Sequence, residues 1–233
     1  MKTFQGKMKA LTFSYDDAVL QDRRLIAILD KYGMKGTFNL NSGCLGMSGA
    51  LNVDGHTCAH VKFRPDEVRE VYRGHEIAVH TLTHPNLKLL DDAEVIRQVE
   101  EDRLALSELA GYEVVGMAYP GGSGCYDERV IELIRQNTGV KYSRGTTSSG
   151  DFEPQTELLD FKPTVHTWDN WGELFRLGRE FIEMQPQTPQ LFYIWGHAYE
   201  FDSHDDWDAL EAFCHMMAHR DDIFYGTNKE VLL

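Results

Sequence analysis

The sequence predicts one α/β domain in which parallel strands form a closed or nearly closed barrel surrounded by helices. Short apolar runs alternate with helical patterns along the chain, which indicates about seven or eight strands. No repeat, low-complexity tract or Ser/Gly/Pro linker divides residues 1–233, so we expect a single domain. Polar and ionisable residues follow nearly every strand candidate, as on the catalytic rim of β/α barrels. An open doubly wound sheet fits less well, because no glycine-rich phosphate loop follows the first strand.

The first strand and the first helix are predicted from the different spacing of their apolar residues. Residues 9–15 (KALTFSY) form an apolar run that indicates a strand. The segment that follows places its apolar residues at i, i+3, i+4 and i+7, as one face of a helix would: Leu25, Ile28, Leu29 and Tyr32. Gly33 supplies the stop expected at the C-terminus of a helix. Residues 36–41 (GTFNLN) are predicted to be the second strand.

The rest of the chain continues this alternation after a gap. Residues 43–63 show no clear periodicity and are predicted to be a long connection. Residues 64–74 carry proline and acids in the first turn of a short helix. Residues 76–82 are the predicted third strand, and residues 91–111 are the longest helix, capped by an aspartate. Further strands are predicted at residues 116–122, 141–145, 161–166, 191–197 and 223–228, and further helices near 127–138, 171–184 and 205–219.

Composition argues against two classes of partner. Lys and Arg total 23 against 37 Asp plus Glu, and the net charge of −14 disfavours nucleic acid and anionic membrane surfaces. The N-terminus has no apolar stretch of signal-peptide type, and no apolar run is long enough to span a bilayer. The four cysteines are widely spaced without a CxxC pair, as in a protein with reduced thiols. We therefore expect a cytoplasmic protein.

Residues 80–84 (HTLTH) contain two histidines four residues apart, a spacing that suits one metal ion. The glutamate that follows the first histidine in HExxH zinc helices is replaced by Thr81, so a general base must come from elsewhere. Pro85 disfavours α geometry at His84, so the pair is expected at a strand end and turn. Taken alone, the spacing also fits a structural pair of histidines.

Asp16 and Asp17 stand side by side where the first strand ends. One carboxylate together with His80 and His84 makes a three-ligand set for a divalent ion, with positions left open for water and substrate. The other carboxylate can then act as a general base. The alternative is ordinary capping of the helix that follows, with one aspartate as N-cap and the other in the first turn.

Four motifs, taken together and in this order, resemble those of the polysaccharide deacetylase family, carbohydrate esterase family 4. Residues 14–17 (SYDD) loosely match its Thr-Phe-Asp-Asp motif, and residues 80–84 match its His-Ser/Thr-x-x-His motif fully. Residues 118–122 (AYPGG) correspond to Arg-x-Pro-x-Gly, and residues 191–197 (LFYIWGH) correspond to the last strand, which ends in histidine. The matches extend over residues 10–197, most of the chain.

The resemblance implies a distorted (β/α)7 barrel and a role for each motif. It also implies one divalent metal ion. Zinc is the expected ion, although two histidines and a carboxylate also accept cobalt, nickel, iron or manganese. The implied roles are general base for Asp16, metal ligands for Asp17, His80 and His84, general acid for His197, and substrate or oxyanion contacts for Tyr119 and Gly121.

The sequence departs from the family pattern at two supporting positions. The family arginine that orients the base is Ala118 here, and Arg144 on the next strand candidate either reaches the same carboxylate or is an ordinary surface arginine. Asp169 is the nearest candidate for the family aspartate that supports the acid histidine. Two segments are expected to be solvated: residues 55–60 (GHTCAH) as a polar loop near the cleft, and residues 200–211 as a capped helix start with exposed acids.

The function that these motifs imply is metal-dependent hydrolysis of an amide, with removal of acetyl or another acyl group from an N-acylated sugar or a related small molecule. The expected partner is therefore a small molecule or an oligosaccharide, with no role for nucleic acid or membrane. Two alternatives stay open. One is hydrolysis of another C–N or ester bond, such as a cyclic ureide or an O-acetyl sugar. The other is a catalytically silent carbohydrate-binding barrel.

Overall fold

The computed structural model describes residues 3–167 and 170–233. Its strands are β1 Lys9–Asp16, β2 Gly36–Leu40, β3 Ser48–Val53, β4 His56–Val61, β5 Glu76–Val79, β6 Gly116–Ala118, β7 Tyr142–Arg144, β8 Val165–His166, β9 Gln190–His197 and β10 Ile223–Tyr225. Eight of them form one sheet in the order β7-β6-β5-β2-β1-β9-β8, with β10 beside the start of β1. Every strand pair in this sheet is parallel, as predicted from the alternation of strands and helices.

The sheet curls into a barrel whose two end strands, β7 and β8, approach each other through the chain between them. The amide of Phe161 donates to the carbonyl of Ser143 in β7 at 2.9 Å. Three residues later, the amide of Thr164 donates to the carbonyl of Tyr193 in β9 at 2.8 Å. The segment just before β8 therefore bridges both edges, and the predicted barrel is confirmed.

Helices follow most of the strands, and the predicted helices are present, whereas the short helix that begins at Asn228 lies partly in a predicted strand, residues 223–228. The α-helices are α1 Asp22–Lys31, α2 Val68–Val71, α3 Asp92–Ala110, α4 Glu128–Asn137, α5 Trp171–Glu183, α6 Ala198–His204, α7 Trp207–Met217 and α8 Asn228–Leu232. Asp91 caps α3 by accepting from the amide of Glu94 at 2.9 Å, and Gly111 ends this helix in the left-handed conformation. None of the helices in the described part of the chain has both the length and the apolar character needed to cross a membrane.

Alternate residues of β9 face two different clusters of buried side chains. Phe192 and Ile194 belong to the larger cluster, which includes buried residues of the helices. Tyr193 and Trp195 belong to a smaller cluster with Phe4 and Phe161. Because side chains alternate along a strand, His197 lies on the same side of β9 as Tyr193 and Trp195. The strand thus carries an apolar stripe that ends in an imidazole at its carboxyl end.

Residues 43–63 correct the prediction of an irregular connection, because they contain the antiparallel hairpin β3–β4. Its two-residue turn consists of Asp54 and Gly55, with φ values of 50° and 86°. Two positive φ values in succession are the geometry that Asp-Gly favours in a tight hairpin. Most hairpin side chains are exposed or half-buried, so they leave no hydrophobic period to detect. Residues 55–60, predicted to be a polar loop, therefore belong mainly to β4.

The register of the central strands brings distant residues together at one edge of the sheet. Asp16, the last residue of β1, is paired with His197 of β9 on one side and with Asn39 of β2 on the other. Two strands beyond β2 in the sheet, Ala118 of β6 is paired with Arg144 of β7. Since parallel strands end at the same edge, the candidate residues at the strand ends converge there.

Candidate active site

The chain leaves β1 through a tight left-handed turn that separates the two adjacent carboxylates. Asp17 and Ala18 have φ values of 87° and 57°, a conformation that costs free energy for residues with a side chain. The amide of Asp17 donates to the carbonyl of Asn39 at 3.0 Å and holds the turn. Helix α1 begins only at Asp22, with Gln21 at its N-cap position. The alternative in which the two aspartates cap this helix is therefore wrong.

Asp16 is buried and paired with Arg144. The Nη2 atom of Arg144 lies 2.6 Å from both carboxylate oxygens, and the Nδ2 atom of Asn39 donates to Oδ1 at 2.8 Å. The guanidinium is fully buried and stacks 4.4 Å from the centre of the Trp195 ring. Burial by itself would raise the pKa of Asp16, but Arg144 and the neighbouring histidines lower it below its usual value. The predicted contact with Asp16 is confirmed, and Arg144 is not a surface residue.

His80 presents a free imidazole nitrogen to the site. Its Nδ1 atom donates to the carbonyl of Ala118 at 2.9 Å, so the neutral ring carries its proton there. Its Nε2 atom is buried and has no hydrogen-bond partner among the described residues. Burial lowers the pKa of His80 to about 4, which keeps the ring neutral at physiological pH. A buried imidazole with one nitrogen held by a carbonyl and the other unpaired suits a metal ligand.

The loop of residues 80–84 is held by polar side chains from neighbouring elements. Thr81 and His84 have positive φ values of 68° and 59°, so this loop is a turn beyond the strand end, as predicted from Pro85. The buried carboxylate of Asp102 in α3 accepts from the amide of His80 at 3.1 Å. The side chain of Asn41 donates to the carbonyl of Thr81 at 3.0 Å. These contacts keep the strained turn in one conformation.

Asp17, His80 and His84 offer three potential ligand atoms that all lie within 4.8 Å of one another. Asp17 and His80 are buried, whereas His84 is exposed, so the group opens to solvent on one side. Burial alone would raise the pKa of Asp17, but contacts with His60 at 3.4 Å and Lys62 at 3.1 Å lower it well below its usual value. An ionised carboxylate beside a neutral imidazole fits a divalent ion with open coordination positions.

His197 is paired with a glutamate that the sequence analysis placed among exposed acids. Its Nδ1 atom donates to Oε1 of Glu200 at 2.9 Å, and its backbone amide donates to Oε2 at 3.0 Å. Burial by itself would lower the pKa of His197, but the Glu200 carboxylate raises it to about 9. The Nε2 atom lies 3.9 Å from Oδ2 of Asp16. Glu200 is buried at the third position of α6, so its description as a solvated acid was wrong.

One signal for Glu200 was present in the sequence. It follows His197 by three residues, the spacing at which a glutamate folds back on the first residue of a helix in a capping box. Asp169, the residue predicted for the supporting role, lies outside the described residues. His166 of β8 also approaches Glu200, with Nε2 3.3 Å from Oε2.

Tyr119 and Gly121, both in the AYPGG segment of residues 118–122, have different environments. Tyr119 is fully buried, stacks on Tyr126 and donates its hydroxyl to the carbonyl of Leu159 at 2.8 Å. Its side chain therefore packs in the core, away from the cavity, and the predicted substrate contact through this side chain is wrong. Gly121 lines the cavity and has a φ of 70°. A side chain at Gly121 would meet the sulfur of Cys125 at 2.7 Å, so only glycine fits.

A cavity of about 740 Å³ lies at this edge of the sheet and contains the proposed base, acid and ligand residues. The hairpin β3–β4 and the residues that flank it form one wall; residues 55–60 were predicted near the cleft, but as a loop and not as a strand. Hairpin and flanking residues at the cavity include Met47, Ser48, Gly49, Leu51, His60 and Lys62. Trp195 and Tyr199 also line the cavity. The volume is within the usual range for small-molecule sites.

Several solved structures share this fold. A protein from Mycobacterium smegmatis assigned as a polysaccharide deacetylase aligns with a TM-score of 0.72 and 17% identity, over 97% of this chain and 90% of that one. A family 4 carbohydrate esterase from Streptomyces lividans, in complex with acetate, aligns with a TM-score of 0.56 and 13% identity, over 91% and 89%. These identities support a likeness of fold.

A third similar structure is a family 4 carbohydrate esterase pseudoenzyme from Bacillus anthracis, with a TM-score of 0.59 and 18% identity. The alignment covers 97% of this chain and 66% of that protein, so this chain spans less than two thirds of its length. No curated protein sequence matches the chain. The sequence profile described as polysaccharide deacetylase matches residues 2–143, more than half of the 233 residues. The chain therefore belongs to the polysaccharide deacetylase family.

Proposed function

We propose that the protein is a metal-dependent hydrolase that removes acetyl or another acyl group from the nitrogen of an N-acylated sugar or a related small molecule, acting as one catalytic domain. Membership of the polysaccharide deacetylase family supports deacylation of a carbohydrate. The observation that carries the proposal is the pairing of Asp16 with His197 beside an open three-ligand group. The displaced pKa values of Asp16 and His197 keep the first ionised and the second protonated at neutral pH, as a base and an acid require.

Asp17, His80 and His84 would hold one divalent ion, with zinc as the proposed metal. The ionised Asp17 and the neutral, unpaired Nε2 atom of His80 are ready to bind without losing a proton. The ligand set also accepts cobalt, nickel, iron or manganese. When bound, such an ion supplies Lewis acidity that activates water and polarises the acyl carbonyl.

Asp16 is the proposed general base. Its lowered pKa keeps it ionised at neutral pH, so it can accept the proton of the attacking water. Arg144 and Asn39 hold its carboxylate in one orientation from two strands. Arg144 therefore takes the role of the arginine that is missing at Ala118, because these two positions are neighbours in the register of β6 and β7.

His197 is the proposed general acid that protonates the leaving nitrogen. Glu200 holds the Nδ1 proton and raises the pKa of the ring to about 9, so His197 is protonated at neutral pH. The other nitrogen, Nε2, is directed towards Asp16 and carries the proton to be donated. Two titratable groups whose pKa values are displaced in opposite directions make a matched base and acid.

Gly121 is the proposed oxyanion donor. Gly121 lines the cavity, and its amide donates to no acceptor in residues 3–167 or 170–233. An unpaired N–H at the cavity wall can donate to the oxygen that becomes negative during attack on the acyl carbon. Its positive φ orients the backbone in a way that a larger residue would disturb.

The cytoplasmic location stays a prediction from sequence.

We propose that the substrate is short and carries no charge. The hairpin β3–β4 lines one side of the cavity, where Met47 and Leu51 supply apolar surface. Lys62 also faces the cavity, but its ammonium is already shared among Asp17 and Asn41. This cation is therefore engaged and does not favour a carboxylate or phosphate on the substrate.

The first prediction concerns the metal. We expect the dialysed wild-type protein to retain one tightly bound divalent ion, and His80→Ala/His84→Ala to lose it while keeping a cooperative unfolding transition. The physical reason is that two of the three protein ligands are removed from a loop outside the core. Elemental analysis and circular dichroism provide the measurements. His56→Ala, on the exposed hairpin, should keep the ion, and retention of the tight ion by the double variant would refute the assignment.

The second prediction separates the base from the acid. Asp16→Asn should lower amide hydrolysis by about 10²- to 10⁴-fold with metal content unchanged, because the proton acceptor is lost. His197→Ala should slow an acetamide much more than an activated aryl ester, since an amine needs protonation to leave and a phenolate does not. Steady-state rates on both substrates measure this. An equal loss on amide and ester would show that His197 does not donate the proton.

The third prediction concerns Glu200. In the metal-free wild type, NMR titration should give a pKa of about 9 for His197, and Glu200→Gln should lower it because the carboxylate is the main cause of the rise. Since His197 must be protonated to act, the alkaline limb of the rate profile should move to lower pH in this variant, with the acidic limb in place. Glu183→Gln, at an exposed position, is the matched control. An unchanged alkaline limb would contradict the pairing.

The fourth prediction tests the buried ion pair. Arg144→Met should destabilise the metal-free protein by about 3–5 kcal/mol, because it leaves Asp16 buried without its cation. In the Asp16→Asn background the same substitution should cost clearly less, since no charge is left uncompensated. Urea unfolding of the four proteins gives this double-mutant cycle. Additive losses would mean that Arg144 acts through packing against Trp195 and not through its charge.

A further inference from the structure

A second group of potential metal ligands lies beside the proposed active site. It consists of His166 of β8, His197 of β9 and Glu200 of α6, whose ligand atoms all lie within 4.8 Å of one another. It shares no residue with the group formed by Asp17, His80 and His84. His166 and Glu200 are buried, while His197 is half-buried at the cavity. Two imidazoles and one carboxylate are a ligand set that zinc and related divalent ions accept.

The distances within this group suit coordination. The Nδ1 atom of His197 lies 2.9 Å from Oε1 of Glu200, and the Nε2 atom of His166 lies 3.3 Å from Oε2. Metal–ligand bonds of about 2.0–2.2 Å at angles between square and tetrahedral place neighbouring donors about 3.0–3.5 Å apart. The distance from His166 falls in this range and that from His197 is just below it, with each imidazole beside a different oxygen of the same carboxylate.

The group is also held in place before any ion binds. Oε2 of Glu200 accepts from the backbone amide of His197 at 3.0 Å, which ties the carboxylate to the end of β9. The ring of His166 packs 4.3 Å from the ring of Trp195, which is buried. Ligands that are already fixed lose little conformational freedom on binding.

We propose that His166, His197 and Glu200 form a second divalent-cation site, and that an ion in this site inhibits the hydrolase. The ion takes the place of the Nδ1 proton of His197, which leaves to solvent, and a coordinate bond forms from the Nδ1 lone pair. The ring then keeps only its Nε2 proton. To donate that proton it would have to become an imidazolate, so the general acid is disabled. Binding of the ion does not depend on the proposed function, whereas its inhibitory effect rests on that function.

The second ion should bind more weakly than the first. At the first site the Nε2 atom of His80 has no hydrogen-bond partner among the described residues, so no hydrogen bond has to be broken there. At the second site the ion has to displace the proton that joins Nδ1 of His197 to Oε1 of Glu200 at 2.9 Å. The inhibitory ion is therefore expected only when zinc is in excess over the chain.

Calorimetric titration of the chelator-treated protein with Zn²⁺ alone tests the site. The wild type should bind two ions, a tight one and a weaker one. His166→Phe keeps an aromatic ring against Trp195 but removes a ligand, and it should weaken the second ion by about tenfold or more, as should Glu200→Gln. His80→Ala/His84→Ala should lose the tight ion and keep the weaker one. This last protein tests the second site even if the first site is misassigned.

A surface pair of histidines provides the matched control. The rings of His56 and His204 lie 5.8 Å apart at the hairpin and could themselves attract zinc. His56→Phe should leave both binding events in place. Loss of the weaker ion in His56→Phe would overturn the proposal, and so would its retention at full affinity in both His166→Phe and Glu200→Gln. A wild type that binds a single ion in excess zinc would overturn it as well.

The activity of the wild type should rise with the first equivalent of zinc and fall as the second ion binds. His166→Phe should raise the inhibitory zinc concentration by about tenfold or more, while activation by the first equivalent remains. Inhibition that follows the same zinc dependence in His166→Phe would overturn the inhibitory role. Absence of activity in every protein would instead contradict the proposed function, with the calorimetric result still deciding the site.

Discussion

Asp16 is an anion buried at the end of the central strand, and such a charge persists only where a cation and hydrogen-bond donors surround it. Arg144 supplies the cation at 2.6 Å, and Asn39 adds a donor from the neighbouring strand. The pair also joins β1 to β7, two strands that are not neighbours in the sheet. The Nε2 atoms of His80 and His197 lie 3.8 Å and 3.9 Å from Oδ2 of the same carboxylate.

The two histidines nearest to Asp16 have opposite protonation states, and their partners explain the difference. His80 is buried and donates to a neutral carbonyl, so desolvation dominates and its pKa falls to about 4. His197 is half-buried and donates to the ionised Glu200, so its pKa rises to about 9. One ring is thereby available as a ligand and the other as an acid. In each imidazole, the hydrogen-bond partner of Nδ1 therefore decides whether Nε2 is a free acceptor or carries a proton.

Much of the fold was predictable because its signals are local. The alternation of apolar strands and amphipathic helices and the turn at Pro85 were inferred from sequence and are confirmed. Of the two alternatives for Arg144, the contact with Asp16 is the one found. The hairpin β3–β4 was not predicted because its strands are mostly exposed and show no alternation of hydrophobic and polar residues. Its Asp54-Gly55 turn was a signal that the sequence did contain. Tyr119 was misjudged because a motif position does not reveal which way a side chain points.

The sequence by itself determined the parallel barrel and the set of polar residues at its strand ends, since both follow from residue types and their spacing. Only the tertiary structure decided which of these residues meet. Arg144 contacts Asp16 across 128 positions of sequence, and Lys62 reaches Asp17 across 45. Glu200 is only three residues from His197, yet its charge matters because packing buries it. Protonation and pairing depend on distance and desolvation, which local patterns do not encode.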